Sequence, residues 1–191
     1  MDVRKFIEIM SIAEKLKNNT RHSWTSSGRH ESVAEHSWRL SLMAYFIKDE
    51  FPNADISKVI LMCICHDLGE AITGDIPTFY KTESDEIVEN REVQKLISNL
   101  PEPYKQELSM LFLEMQEQKT LESRIFKALD KMEALIQHNE ADISTWLPLE
   151  YDLNLTYGEE EVKFSTYMKE LKEAINEDTV SKINCSKESV S

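Results

Sequence analysis

Glycine and proline are scarce in this chain, four and five among 191 residues, so few points exist where the backbone can break. Long stretches instead carry apolar residues at helical spacing, and the scarcity of breaks predicts an all-α fold with few or no strands. Basic residues are also in deficit: 22 Lys and Arg against 35 Asp and Glu give a net charge of -13. A chain so acidic lacks the basic excess needed to displace counterions from a phosphate backbone, which argues against a nucleic-acid polymer as partner. Cysteine is limited to Cys63, Cys65 and Cys185, an odd number with the first two on diverging sides of one helix. A disulfide framework is not expected, which fits a reducing compartment. The first helical stretch mixes Asp2, Arg4, Lys5 and Glu8 into its apolar pattern, and no uninterrupted apolar run of span or signal length occurs. The expectation is a cytoplasmic, soluble protein with no membrane partner.

What the chain does contain is a 41% apolar fraction, enough for one core of ordinary size. A single domain over residues 1–176 is expected, followed by a polar, frayed tail over 177–191 that lacks periodicity. Helical patterns run over about 2–17, from Glu31 to about Phe51, and from Asp55 to Leu68. Further patterns cover 84–100, 103–118, 121–138 and 159–175, with 18–30 and 141–157 read as loop and turn. Ser32 with Glu35 three positions later has the form of a capping box. The run Val59 to Leu68 is apolar on nearly every side, which predicts a central helix.

The chemistry gathers where that run ends, in His66-Asp67-Leu68-Gly69-Glu70, followed by Gly74-Asp75. A carboxylate closing a buried helix is costly unless something compensates its charge. His36 lies one turn inside the preceding helix, and Asp130 interrupts the apolar stripe between Leu129 and Met132. Imidazole and carboxylate donors of this kind suit one divalent ion and phosphate chemistry, while Cys63 and Cys65 lack the spacing of a thiolate zinc site. A small phosphorylated substrate needs only a local positive site. The stretch Arg21 to Arg39 supplies one, with Arg21, Arg29, Arg39 and three histidines against Glu31 and Glu35.

Four segments, Glu31-Ser32-Val33-Ala34-Glu35-His36-Ser37, His66-Asp67-Leu68-Gly69-Glu70, Gly74-Asp75-Ile76-Pro77-Thr78 and Leu129-Asp130-Lys131-Met132-Glu133, occur in this order. Together they resemble the HD-domain metal-dependent phosphohydrolase superfamily, in its 5′-deoxynucleotidase branch, over roughly residues 20–137. The resemblance implies a compact helical bundle with His36, His66, Asp67 and Asp130 holding one divalent metal such as cobalt, manganese or magnesium. It implies that Glu70 orients or deprotonates the attacking water. It also places Asp75 near the sugar and the leaving oxygen. Arg21 and Trp24 resemble an Arg that grips phosphate and a Trp that packs on substrate, although the Trp24-to-His36 interval is shorter than usual. Lys81 completes a Pro-Thr-x-x-Lys pattern with Thr78, and Arg29 matches a basic position; both are further candidate substrate contacts. Lys131 and Glu133 flank Asp130 with their orientation left open. Relatives are commonly homodimeric, and Met43, Met110, Met115 and several aromatics are the residues available for a dimer.

The leading expectation is hydrolysis of a (deoxy)nucleoside 5′-monophosphate to nucleoside and phosphate. The same site acting on nucleoside triphosphates or another phosphorylated metabolite, and a non-catalytic nucleotide-binding helical module, are the alternatives.

Overall fold

A computed structural model of the protein describes residues 1–188. Its centre is α7, Leu121–Glu140, where Ile125, Leu129 and Met132 follow one another at three- and four-residue steps and are fully buried. That spacing draws a single apolar stripe along the helix. Helix α2, Val33–Phe46, and helix α3, Ile56–Cys65, pack on each other and on α7. Leu40 and Ala44 from α2, and Val59, Met62 and Cys63 from α3, close the core between them. The expectation of an α3 buried all round holds for one side only, since Leu61 and Ile64 point outward.

The remaining helices lie around these three. Helix α1, Val3–Ala13, leads into a 3-10 turn at Glu14–Lys17. Short α4, Glu70–Thr73, precedes α5, Glu83–Ser98, and α6, Tyr104–Glu117. Two helices, α8 at Glu150–Thr156 and α9 at Thr166–Glu188, follow α7. The capping box at the start of α2 is present: Glu35 N–H donates to Ser32 Oγ, and Ser32 N–H donates to the Glu35 carboxylate at 2.9 Å. It fixes where α2 begins and hence which turn carries His36.

Five expectations are corrected by the fold. The segment read as a loop over 18–30 forms a small antiparallel hairpin, β1 at Thr20–Trp24 and β2 at His30–Ser32. Inter-strand pairing, not composition, organises these polar residues. The stretch 141–157 contains α8, and the last helix starts at Thr166, not Glu159. That helix also runs through most of the expected tail. Thr179 is fully buried, and its hydroxyl donates to Ile175 O and to Asn139 Oδ1, so contacts with α7 order a stretch of weak periodicity. Residues 189–191 of the expected tail lie outside the described residues. Met43 and Met115, considered for a dimer surface, pack into the core instead. No helix among the described residues is long and apolar enough to cross a membrane.

Candidate active site

The C-terminal end of α3 meets the middle of α2 and α7, and the polar residues at that junction converge. His66 is the residue at which α3 ends. From there the backbone continues in tight turns, with Leu68 N–H on Cys65 O and Glu70 N–H on Asp67 O, so Asp67 and Glu70 stay beside His66. Gly69 permits this course: a Cβ there would lie 2.7 Å from Val93 Cγ2 and 3.0 Å from Glu89 Cγ of α5. Close helix approach therefore requires glycine at this position. Gly74 ends α4 with φ +76° and ψ 165°, a conformation that glycine adopts freely and that turns Asp75 back toward the site.

Four donor atoms form a ring. His66 Nε2 is 3.0 Å from Asp67 Oδ2 and 3.7 Å from Asp130 Oδ1; His36 Nε2 is 3.2 Å from Asp130 Oδ1 and 4.0 Å from Asp67 Oδ2. Neighbouring ligands around an octahedral ion with bonds of about 2.1 Å stand about 3 Å apart; His36, His66 and Asp67 are close enough together to share one cation, and Asp130 stands beside both histidines. The hydrogen bonding agrees. His66 Nδ1 is 3.0 Å from Cys63 O, and a carbonyl only accepts, so Nδ1 carries the proton and Nε2 presents its lone pair to the ring. His66 Nε2 and Asp67 Oδ2 are buried without a hydrogen-bond partner. Buried polar atoms of this kind call for a partner.

Charge supports the same fit. Burial and the nearby Arg21 both disfavour a protonated His36, yet Glu133 and Asp130 raise it to about 9. Asp130 is held well below the ordinary carboxylate range despite burial, chiefly by Lys127 and His36. Asp67 is likewise lowered, against burial, by His66, His36 and Arg21. The ring thus concentrates negative potential that favours a cation at its centre.

Around the ring stands a second set of groups. His36 Nδ1 donates to Glu133, a fully buried carboxylate that also receives Arg39 Nε at 2.7 Å. Sequence spacing left Glu133 open, and the structure puts it behind the histidine, where it fixes the ring orientation. Lys127, not anticipated, donates to Asp130 Oδ2 at 2.8 Å. Its i,i+3 relation to Asp130 is the signal that marks it. Glu70 is 5% exposed and its Oε2 has no partner. Burial, then Asp67 and Asp75, push its carboxyl up to about 10. Asp75 is raised chiefly by burial, with Arg21 opposing.

The ring opens into a broad, solvent-open cavity lined by Arg21, Glu70, Asp75, Thr78 and Lys81. Arg21 reaches it from β1, its Nη1 3.8 Å from Asp67 Oδ2 and its Nε 3.5 Å from buried Glu31. Lys81 pairs with Glu89 at 2.5 Å on the opposite wall. Two of the sequence candidates are not brought there. Trp24 stands at the far end of β1, opposite His30, with ring centroids 4.0 Å apart. Strand geometry carries it about 10 Å along the chain from Arg21. Arg29 is exposed and makes a two-pronged pair with Glu35, at 2.9 and 2.6 Å, so its guanidinium braces the start of α2. Neither residue lines the metal-ring cavity.

Fold and ring together define an all-helical protein with a His/Asp cluster that could hold a metal ion. The chain belongs to the HD domain family, whose model matches residues 13–172. It is 31% identical to the human 5′-deoxynucleotidase HDDC2 over 141 residues, 72% of this chain and 68% of the relative. It is 27% identical to the Schizosaccharomyces pombe 5′-deoxynucleotidase hdd1 over 159 residues, 73% of this chain and 79% of that protein. Among solved structures it is similar to a predicted metal-dependent phosphohydrolase from Magnetospirillum magnetotacticum MS-1, with a TM-score of 0.78 and 25% identity. That match covers 92% of this chain and 91% of the other. The all-α reading and the family resemblance drawn from the motifs are borne out.

Proposed function

We infer that this protein is a metal-dependent 5′-deoxynucleotidase, hydrolysing a (deoxy)nucleoside 5′-monophosphate to nucleoside and phosphate. The observation that carries the reading is the ring of four donors with an unpartnered, buried Glu70 beside it, in a chain similar to enzymes of that name. His36, His66, Asp67 and Asp130 would hold the ion. When bound, a divalent metal supplies Lewis acidity, which polarises a phosphoryl oxygen and makes water a stronger acid. Cobalt, manganese and magnesium each suit such a donor set.

The protein's own groups do the rest. Arg21 and Lys81 flank the cavity and neutralise phosphate charge, the guanidinium offering a two-pronged grip on phosphoryl oxygens. Thr78 adds a hydroxyl to the same wall. Glu70, buried beside the ring with Oε2 free of any hydrogen bond, is placed to receive the proton of the attacking water. The P–O bond to the sugar breaks as the new one forms. Asp75, kept a better proton holder by burial, donates to the leaving sugar oxygen, so water's elements end on nucleoside and phosphate.

The reading includes a single catalytic domain, with α9 as part of it, a cytoplasmic setting and a homodimer. Unbridged, buried Cys63 and Cys65, with thiols raised by burial, are consistent with a reducing compartment. Exposed Phe6, Trp38, Tyr45 and Phe46 on α1 and α2 support a dimer better than the core methionines do, and light scattering on the purified protein tests it. For the activity, purified protein is given each deoxynucleoside mono- and triphosphate with added cobalt, manganese or magnesium. Phosphate and nucleoside from monophosphates alone are expected; no phosphate from any of them overturns the reading.

A further inference from the structure

A second, smaller cavity adjoins the first and shares Arg21, Asp75, Thr78 and Tyr157 with it. Its far end is built from groups that the hydrolytic step does not use. Glu150, at the start of α8, is 1% exposed, and Asn154, one turn later, is 3% exposed. One Glu150 oxygen accepts Leu147 N–H at 2.6 Å. The other, Oε1, faces His22 Nε2 at 3.0 Å and His138 Nε2 at 3.7 Å, yet it is buried with no hydrogen bond of acceptable geometry. Asn154 Nδ2 and His138 Nδ1 are also buried with no hydrogen bond of acceptable geometry, although the Asn154 side chain stands beside His138. The neighbouring walls are apolar or aromatic: Phe79, whose ring meets His22 edge-on at 5.4 Å, with Leu135, Leu153 and Tyr157.

A buried acceptor and a buried donor one helical turn apart, both without a hydrogen bond, beside apolar and aromatic walls, match a flat heteroaromatic ligand with an N–H next to an acceptor on its edge. Every nucleobase has such an edge, and proteins that hold a single base read it this way, with stacking from aromatic and apolar walls. The connection through Arg21 and Asp75 sets the order: phosphate at the metal ring, sugar at the junction, base in the second cavity. We propose that the cavity formed by His22, Phe79, His138, Glu150 and Asn154 is the base-binding subsite of this enzyme. Glu150 Oε1 accepts an N–H of the base, and Asn154 Nδ2 donates to the adjacent acceptor. The subsite takes the place expected for Trp24, whose ring is occupied with His30.

This inference rests on the nucleotidase reading, so its test separates the two. Steady-state kcat/KM is measured with manganese on the four deoxynucleoside 5′-monophosphates and on 2-deoxyribose 5-phosphate, which has no base. The wild type is expected to prefer its best nucleotide over the base-free compound by about 100-fold or more, since leaving buried polar groups unpaired is costly. In Glu150→Gln, which keeps an oxygen for Leu147 N–H, and in Asn154→Leu, that ratio should fall by at least about tenfold. Equal losses on nucleotide and base-free compound would mean a purely structural role and overturn the proposal, as would a ratio that both variants leave intact. Failure of the hydrolytic reading shows differently, as no phosphate from any compound. In that case binding of the four deoxynucleosides by calorimetry decides: weaker binding by both variants supports the subsite, and no binding by the wild type overturns it.

Discussion

The Nδ1 nitrogen of His36 donates to the carboxylate of Glu133, and both side chains are fully buried. Glu133 thereby sets which way the imidazole faces and leaves Nε2 directed at Asp130 and Asp67. Outer carboxylates of this kind typically account for about 10–100-fold in metal affinity. Glu133→Gln, with circular dichroism to verify the fold, is expected to weaken manganese binding by that factor. Unchanged affinity in a competition titration would show that the pair is structural only.

Removing metal should act on stability as well as activity. A ligand at 100 times its dissociation constant adds about 2.7 kcal/mol to a folded state that alone binds it. Dialysis against EDTA is expected to abolish phosphate release and lower Tm, and manganese should restore both. A Tm that ignores metal would argue against the four-donor ring as the binding site.

Glu70→Gln removes the proposed base and keeps the shape. A loss of about 10²- to 10⁴-fold in kcat is expected for a general base, with manganese binding retained because Glu70 is outside the ring. A kcat within a few-fold of wild type would assign the proton to another group.

Gly74 adopts φ +76°, and a Cβ there would meet nothing within 4 Å. Gly74→Ala therefore carries a backbone cost alone, about 1–3 kcal/mol, which for a chain of this size lowers Tm by several degrees. Calorimetric scans of both proteins give the comparison. Since the turn aims Asp75, kcat should drop too.

Lys172 in α9 is 4% exposed and donates to Asn154 O at 3.0 Å and Asn176 Oδ1 at 2.7 Å. Burial lowers its ammonium to about 8, with Glu159 opposing. The folded value lies below the unfolded value of 10.5, so between the two the unfolded chain binds more protons. Stability from this group therefore rises with pH across that window, and its penalty is fully present below about 8. Relative to Lys172→Met, the wild-type unfolding free energy should gain about 1–3 kcal/mol between pH 8 and 10.5. Urea titrations at the two pH values measure the difference, and a constant gap would refute the shift.

Much of the candidate donor ring was legible in the chain because its members break local rules. Asp67 closes an apolar run, and Asp130 interrupts an apolar stripe, each an expensive placement without compensation. The capping box at Ser32 and Glu35 was legible because it is written within four residues. The hairpin over Thr20–Ser32 was missed, since its order comes from pairing of two polar segments that have no periodic signature. Lys127 was passed over because a lysine at i−3 to an Asp usually means a solvated pair. His22, His138 and Glu150 left no trace, since their proximity exists only after β1, α7 and α8 have packed.

The sequence by itself determined the all-α class, the central helices and the residue types able to hold a divalent ion, because helical periodicity and misplaced polar residues are local properties. Only the tertiary structure decided how those residues are used. It turned His36 with Glu133, left Trp24 and Arg29 off the cavity at the donor ring, and brought Glu150 beside His22 and His138. Those outcomes depend on the directions of side chains from distant elements, which are fixed by packing of the core and not by any stretch of sequence.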